Sequence, residues 1–121
     1  ALINNQRTDI SFTLFLSEQT QYQGGELVLE DSSGERSWKL DAGDLLLYPS
    51  TYLHQVNEVT DGERLVIVGW LTSRVREPNQ REILFDMEQS VRQEFNLNGK
   101  TEQYDRLCRV RNNLLRQWLD R

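Results

Sequence analysis

Residues 44–72 read DLLLYPSTYLHQVNEVTDGERLVIVGWLT, and the fold class is most evident in this stretch. Two apolar runs flank a polar middle, and residues 44–48 and 64–72 are each predicted to form a β-strand. Pro49 is expected to stop the first strand because it has no N–H group to donate to a neighbouring strand. The stretch therefore predicts a β-rich domain.

The polar middle and the residues before the stretch extend the β-pattern. Residues 54–59 are predicted as a weaker strand, with a tight turn at Asp61-Gly62. Residues 9–16 alternate between apolar and polar side chains, which predicts a strand with one buried face. The apolar set, expected to be the buried one, is Ile10, Phe12, Leu14 and Leu16, and the opposite set includes Ser11 and Thr13. Further strands are predicted at residues 26–30 and 37–40, with turns at 21–25, 31–34 and 41–43. Short strands joined by tight turns favour an antiparallel sandwich or barrel.

The C-terminal part of the chain has helical periodicity instead. Pro78 suits the first turn of a helix, residues 96–99 break the pattern, and a second amphipathic segment follows. Apolar residues at helical spacing are Ile83, Leu84, Met87 and Val91, then Tyr104, Leu107, Cys108, Leu114, Leu115 and Trp118. The predicted division is a β-domain over residues 1–76 and a helical hairpin over residues 77–121, packed on the β-domain or on a partner chain.

Composition excludes several classes of function. The chain has 121 residues, a formal net charge of −5 and 27% charged side chains, which argues for a globular protein and against nucleic-acid binding. No apolar run approaches the roughly 18 residues of a membrane-spanning helix, so no membrane partner is expected. Cys108 is the only cysteine, which rules out an internal disulfide. We interpret it as a small core residue and expect a cytoplasmic protein.

Few residues offer chemistry, and His54 is the only histidine. No phosphate-binding loop, dinucleotide-binding glycine pattern or nucleophile elbow is present. His54 follows Tyr48-Pro49-Ser50 at the mouth of the predicted barrel. A strand-borne imidazole there could bind a metal, and the alternative is a hydrogen-bonded structural histidine.

Arg64 stands ten residues after His54, at the start of the most apolar strand. Alternation places Arg64 on the same side as Val66, Val68 and Trp70. If that side faces inward, the guanidinium enters an apolar cavity and needs an anion, for which a carboxylate is the matching partner. The alternative is an arginine at a strand end that reaches solvent.

Five stretches of the sequence resemble the PKHD-type hydroxylases, bacterial members of the prolyl-4-hydroxylase-like iron(II)/2-oxoglutarate oxygenases. In chain order they are DISFTLFLSEQTQYQGGELVLED (9–31), KLDAGDLLLYPSTYLHQV (39–56), GERLVIVGWLTSRVRE (62–77), QREILFD (80–86) and NNLLRQW (112–118). The similarity extends over essentially the whole chain.

This resemblance implies a fold and a set of roles. The fold is a double-stranded β-helix, a cupin-like jelly-roll barrel, followed by the C-terminal αα-hairpin. In the family the histidine at the position of His54 binds iron(II), and the arginine at the position of Arg64 binds the 5-carboxylate of 2-oxoglutarate. Tyr48 and Trp70 are expected to line the same pocket. L-Ascorbate is expected to keep the iron reduced.

The sequence departs from the family at one point. The family has a His-x-Asp motif shortly before the strand that corresponds to residues 9–16, and the resemblance places this motif upstream of Ala1. A dioxygenase is therefore expected of the full-length protein, with a peptide or a small molecule as substrate. The alternatives are a non-catalytic cupin-like binding module and, compatible with either function, a homodimer formed through the C-terminal helices.

Overall fold

The computed structural model describes residues 2–120. The chain forms two compact units, one ending at Thr72 and one beginning at Ser73. The first unit is built of β-strands and the second of two helices. This mainly β architecture with two C-terminal helices confirms the predicted fold class and is consistent with a jelly-roll oxygenase fold followed by a helical hairpin.

The β-unit contains short antiparallel strands. In chain order they are β1 (Leu2–Ile3), β2 (Gln6–Arg7), β3 (Ile10–Phe15), β4 (Tyr22–Gly24), β5 (Leu27–Asp31), β6 (Gly34–Trp38), β7 (Leu45–Pro49), β8 (Leu53–Val56), β9 (Val59–Gly62) and β10 (Val66–Leu71). Two three-stranded sheets have the orders β10-β3-β7 and β6-β5-β8, and two smaller sheets pair β1 with β2 and β4 with β9. Among residues 2–120 the strands form these separate sheets and not one continuous barrel.

The core of the β-unit joins the two three-stranded sheets. Tyr48 of β7 packs against Leu27 and Leu29 of β5, and all three side chains are buried. Trp38 and Tyr52 pack around this cluster and are partly buried. The sides of the two sheets that carry these residues therefore face each other.

The prediction for the buried face of β3 was wrong. Ser11, Thr13 and Phe15 are the buried residues, whereas the alternating residues Ile10, Phe12 and Leu14 are only partly buried. Leu16, the last of the predicted apolar set, lies beyond the strand and is 48% exposed. Alternation separates the two faces of a strand but does not say which face meets the opposite sheet.

Two predicted turns proved to be strands. Residues 21–25 contain β4, which pairs with β9, and β9 includes Asp61 and Gly62. Gly62 has φ of 79°, and a Cβ there would collide with the carbonyl oxygen of Gln21. The dipeptide was read as a turn because glycine tolerates positive φ, but here that freedom permits a close approach of two backbones.

The remaining differences concern strand boundaries. The strand predicted at residues 37–40 begins at Gly34, and the one predicted at residues 54–59 divides into β8 and β9. The strand predicted at residues 64–72 begins at Val66, so Arg64 lies in the loop before it. Pro49 is the last residue of β7 and pairs with Ile10. The β1–β2 hairpin was not predicted, although Asn4 and Asn5 have the positive φ angles typical of a tight hairpin turn.

The second unit is an αα-hairpin of α1 (Pro78–Asn98) and α2 (Glu102–Trp118). Pro78 stands in the first turn of α1, as predicted, and Gly99 ends that helix with φ of 75°. Thr101 caps α2 by accepting a hydrogen bond from the Tyr104 amide at 3.0 Å. Cys108 is only partly buried, so it is less enclosed than the predicted core position.

None of the helices formed by residues 2–120 has the length and apolarity required to cross a membrane. The packing of the hairpin on the β-domain or on a partner stays a prediction.

Candidate cosubstrate and metal site

A cavity of about 210 Å³ lies between the two three-stranded sheets. The four residues singled out from the sequence, Tyr48, His54, Arg64 and Trp70, all line it. The other lining residues are Ser11, Phe12, Thr13, Leu27, Val56, Val68 and Gly69. The fold thus brings together side chains that are up to 59 positions apart in the chain, from Ser11 to Trp70.

His54 is held in place by β8, where it pairs with Leu29 of β5. Its ring lies against that of Tyr48, with the centroids 5.7 Å apart and the planes tilted by 55°. The imidazole Nδ1 is 3.5 Å from the carbonyl oxygen of Tyr52, which is long for a hydrogen bond. No other side-chain hydrogen bond or ion pair of His54 involves residues 2–120, so the exposed imidazole is available to a ligand.

A metal site cannot be completed by the described part of the chain. Residues 2–120 contain no cluster of three or more His, Cys, Asp or Glu side chains that could hold an ion. A facial iron(II) site requires two histidines and one carboxylate. His54 fits one of these three positions.

Arg64 carries an unpaired guanidinium. Its Nε is buried without a hydrogen-bond partner, and the side chain forms no ion pair with another residue between 2 and 120. The guanidinium carbon lies 5.8 Å from the centroid of the Phe15 ring. A partly buried cation with an unsatisfied donor is destabilising, and a carboxylate is the group that best satisfies it. The cavity therefore has the properties of an anion-binding pocket.

Gly25 leaves the space that the Arg64 side chain occupies. A Cβ on Gly25 would lie 3.1 Å from Cδ of Arg64 and 3.1 Å from Cε2 of Tyr22. Gly25 is buried and has φ of 71°, which also favours glycine. Sequence reasoning missed this role, and the only available signal was the Gly24-Gly25 pair at the end of β4.

Two serines fix the turn between β7 and β8. The hydroxyl groups of Ser11 and Ser50 lie 2.8 Å apart, and the Ser50 amide donates to the carbonyl oxygen of Asp9 at 2.9 Å. These contacts tie the residues that precede His54 to the neighbouring strand β3. The sequence indicated no role for Ser50 beyond its place in the segment before His54, and the predicted alternation placed its partner Ser11 on the face opposite the apolar set.

Comparison with known protein families identifies the family of the chain. Residues 2–72 match the 2OG-Fe(II) oxygenase superfamily, and this match spans more than half of the chain. The chain belongs to the 2OG-Fe(II) oxygenase superfamily. Residues 79–120 match the PKHD-type hydroxylase C-terminal domain, so both units of this oxygenase-family chain have recognised counterparts.

Individual relatives agree with this assignment. A PKHD-type hydroxylase of Idiomarina loihiensis is 60% identical over 120 residues, which cover 99% of this chain and 55% of the relative. PKHD-type hydroxylases of Rippkaea orientalis and a Picosynechococcus species are each 52% identical, over 93% and 98% of this chain and 50% and 54% of those relatives. The predicted resemblance is confirmed, and the chain spans about half the length of the curated relatives it matches.

Proposed function

We propose that the full-length protein is an iron(II)- and 2-oxoglutarate-dependent hydroxylase whose cosubstrate pocket is the cavity between the two three-stranded sheets. The observation that carries the proposal is the unpaired guanidinium of Arg64 in a cavity that His54 also lines. A dicarboxylate cosubstrate would place one carboxylate on the arginine and leave the other end free to reach the metal beside the histidine.

Arg64 would bind the far carboxylate of 2-oxoglutarate. The planar guanidinium matches a carboxylate in a two-hydrogen-bond geometry, which fixes orientation as well as position. The Phe15 ring lies close to the guanidinium, and the absence of a side chain on Gly25 leaves room for the arginine stem. Val68 and Trp70 add apolar surface to the cavity, although both side chains are still about half exposed.

His54 would supply one iron ligand, and Tyr48 would set the tilt of its ring through the aromatic contact. The carbonyl oxygen of Tyr52 lies beside Nδ1, where a backbone acceptor would leave Nε2 to the metal. We propose that the other two ligands come from the half of the full-length protein that lies outside this stretch. Iron(II), when bound, supplies the oxygen chemistry that couples decarboxylation of 2-oxoglutarate to C–H hydroxylation, with L-ascorbate as reductant.

Succinate formation by the full-length protein tests this function. The protein is loaded anaerobically with iron(II) and 2-oxoglutarate, oxygen is admitted, and succinate is measured. We expect slow formation by the wild type and none by His54→Ala. Gln55→Ala is the matched control, because Gln55 is next in the same strand but pairs with Val28, on the opposite side from Leu29 and His54. Absence of succinate from the wild type would refute the proposal.

One observation favours a second candidate, a cupin-like binding module without catalysis. Residues 2–120 provide a single histidine where a facial iron site needs three ligands. In that case calorimetry would detect binding of 2-oxoglutarate that depends on Arg64, while iron and oxygen would produce no succinate. Succinate formation therefore distinguishes the hydroxylase from the binding module, whereas binding of 2-oxoglutarate does not.

A further inference from the structure

A second cavity, of about 320 Å³, lies beside the first and shares Tyr48 with it. Its other lining residues are Leu29, Asp31, Gly34, Arg36, Trp38, Leu46, Leu47, Pro49 and Tyr52. Nothing in the proposed cosubstrate chemistry uses these polar side chains. The position next to the cosubstrate pocket makes this second cavity a candidate for the group that is to be oxidised.

The strand register places Arg36 and His54 on the same face of one sheet. Leu29 of β5 pairs with Arg36 of β6 on one side and with His54 of β8 on the other. Residues that pair in this way project to the same side of a sheet. Two strand spacings of about 4.8 Å each separate the outer strands, so the two backbones are about 10 Å apart.

Arg36 is the one cation among the residues that line this cavity. Its side chain is exposed and forms no hydrogen bond or ion pair with another residue of the described range 2–120. Asp31 forms no ion pair with Arg36 in the described structure, and one oxygen of its carboxylate accepts the Ser33 amide at 2.8 Å and the Ser33 hydroxyl at 2.6 Å. These hydrogen bonds, with a smaller contribution from the Arg36 charge, hold the pKa of Asp31 below its usual range.

Two aromatic residues complete the walls. Trp38 and Tyr52 both pack against the core cluster of Leu27, Leu29 and Tyr48. The indole Nε1 of Trp38 is buried and has no hydrogen-bond acceptor in the described structure. A cavity with aromatic walls, one free guanidinium and one unsatisfied N–H donor is suited to an acidic group with an adjoining apolar part.

We propose that this second cavity binds a carboxylate of the substrate through Arg36 and so directs the substrate toward the metal side of His54. The inference rests on the proposed function and names the class of substrate, a carboxylate-bearing peptide or small acid. The chain as a whole is acidic, with a formal net charge of −5, so it repels anions on average. Arg36 supplies a local positive charge that offsets this repulsion at the second cavity.

Paired probes test the assignment in the full-length protein loaded with iron(II) and 2-oxoglutarate. A pool of N-acetylated tripeptides is prepared once with free C-terminal carboxylates and once as C-terminal amides. Binding is measured anaerobically by saturation-transfer NMR, and stimulation of succinate formation is measured in air. We expect the carboxylates to bind about tenfold more tightly than the amides, the effect of one charge-assisted pair.

Three variants make this measurement specific. Arg36→Gln should bring the ratio of carboxylate to amide binding close to one, and Arg36→Lys should retain part of the preference. Arg109→Gln, the same charge change at an exposed position of α2, should leave the ratio at its wild-type value. A wild type without preference for carboxylates, or an unchanged preference in Arg36→Gln, would overturn the assignment. Because the NMR measurement needs no turnover, it tests the second cavity even if no succinate forms and the proposed function fails.

Discussion

Arg64 and Arg111 carry the same guanidinium in two different settings. Arg111 in α2 donates to Oε2 of Glu88 in α1 at 2.8 Å, with both side chains partly exposed. That hydrogen bond raises the pKa of Arg111 and lowers the pKa of Glu88, to which Arg92 also donates. Arg64, in contrast, has an aromatic contact with Phe15 and no carboxylate partner within residues 2–120.

The difference does not come from a shortage of carboxylates. The sequence has 19 acidic and 14 basic side chains, so carboxylates outnumber the cations that they could pair with. A buried donor without an acceptor costs about 1–3 kcal/mol, and an ion pair like that of Arg111 avoids this cost. The comparison indicates that the hairpin arginine serves stability, whereas the arginine of the β-unit has no carboxylate partner among residues 2–120, as its proposed cosubstrate role requires.

Arg64→Gln gives the largest expected effect. In the full-length protein the dissociation constant for 2-oxoglutarate should rise on the order of 100-fold, or about 2.7 kcal/mol, because the charged partner of the carboxylate is lost. Arg111→Gln should leave this constant unchanged. Isothermal titration calorimetry under anaerobic conditions measures the dissociation constants of both variants. If Arg64→Gln bound 2-oxoglutarate as tightly as the wild type, Arg64 would not differ from Arg111 in cosubstrate binding.

Gly25→Ala is expected to be the next largest change. A left-handed alanine costs about 1–2 kcal/mol, and its Cβ would press on the stem of Arg64 and weaken cosubstrate binding several-fold. Gly43→Ala is the matched control, since Gly43 also has positive φ, at 88°, but no atom lies within 4 Å of the position of its Cβ. Thermal unfolding should show a loss in both variants, and calorimetry should show weaker 2-oxoglutarate binding in Gly25→Ala alone. Equal cosubstrate affinities would show that Gly25 has no part in placing Arg64.

The β-unit shows what a single sequence can predict about such a site. Residues 64–72 were predicted as a strand with Arg64, Val66, Val68 and Trp70 on one face. Val68 and Trp70 of β10 line the cavity as that alternation predicts, whereas Val66 is not among the lining residues. Arg64 also lines the cavity, but it does so from the loop before β10, which begins at Val66. The length of an apolar run and the alternation of apolar and polar residues are local properties, so they can be read directly from the sequence. The metal and cosubstrate roles of His54 and Arg64 came from family resemblance and stay predictions.

Other features depend on contacts between distant segments. The buried face of β3 is decided by the sheet that packs on it, which is why Ser11 was assigned to the wrong side. The same applies to the pairing of β4 with β9 and to the space that Gly25 leaves for Arg64. Local periodicity carries no information about which strand lies opposite, and such contacts require the three-dimensional structure.

Thr101→Ala tests whether the role of the helical hairpin is purely structural. The Thr101 hydroxyl accepts from the Tyr104 amide and donates to Oε1 of Glu94 at 2.8 Å, so its removal should cost about 1 kcal/mol. Amide hydrogen exchange in the first turn of α2 should become faster, while the affinity for 2-oxoglutarate stays the same. Glu102→Ala, at the next position, is the control, because its ion pair with Arg106 is long at 3.6 Å and its side chain is 92% exposed. A loss of cosubstrate affinity in Thr101→Ala would contradict a purely structural role for the hairpin.

Acidification gives the smallest expected effect, through Glu88. Because its pKa is lower in the folded protein than in the unfolded chain, the carboxylate stabilises the fold at neutral pH. This contribution is fully present above the ordinary carboxyl pKa and is lost as the pH falls through the lowered folded value. Helical circular dichroism during thermal unfolding should show Glu88→Gln melting a few degrees below wild type at pH 7, with the gap closing toward pH 3. A gap that stayed constant between these pH values would mean that the Glu88 charge does not stabilise the hairpin, and Arg111 could not then be regarded as the structurally paired arginine.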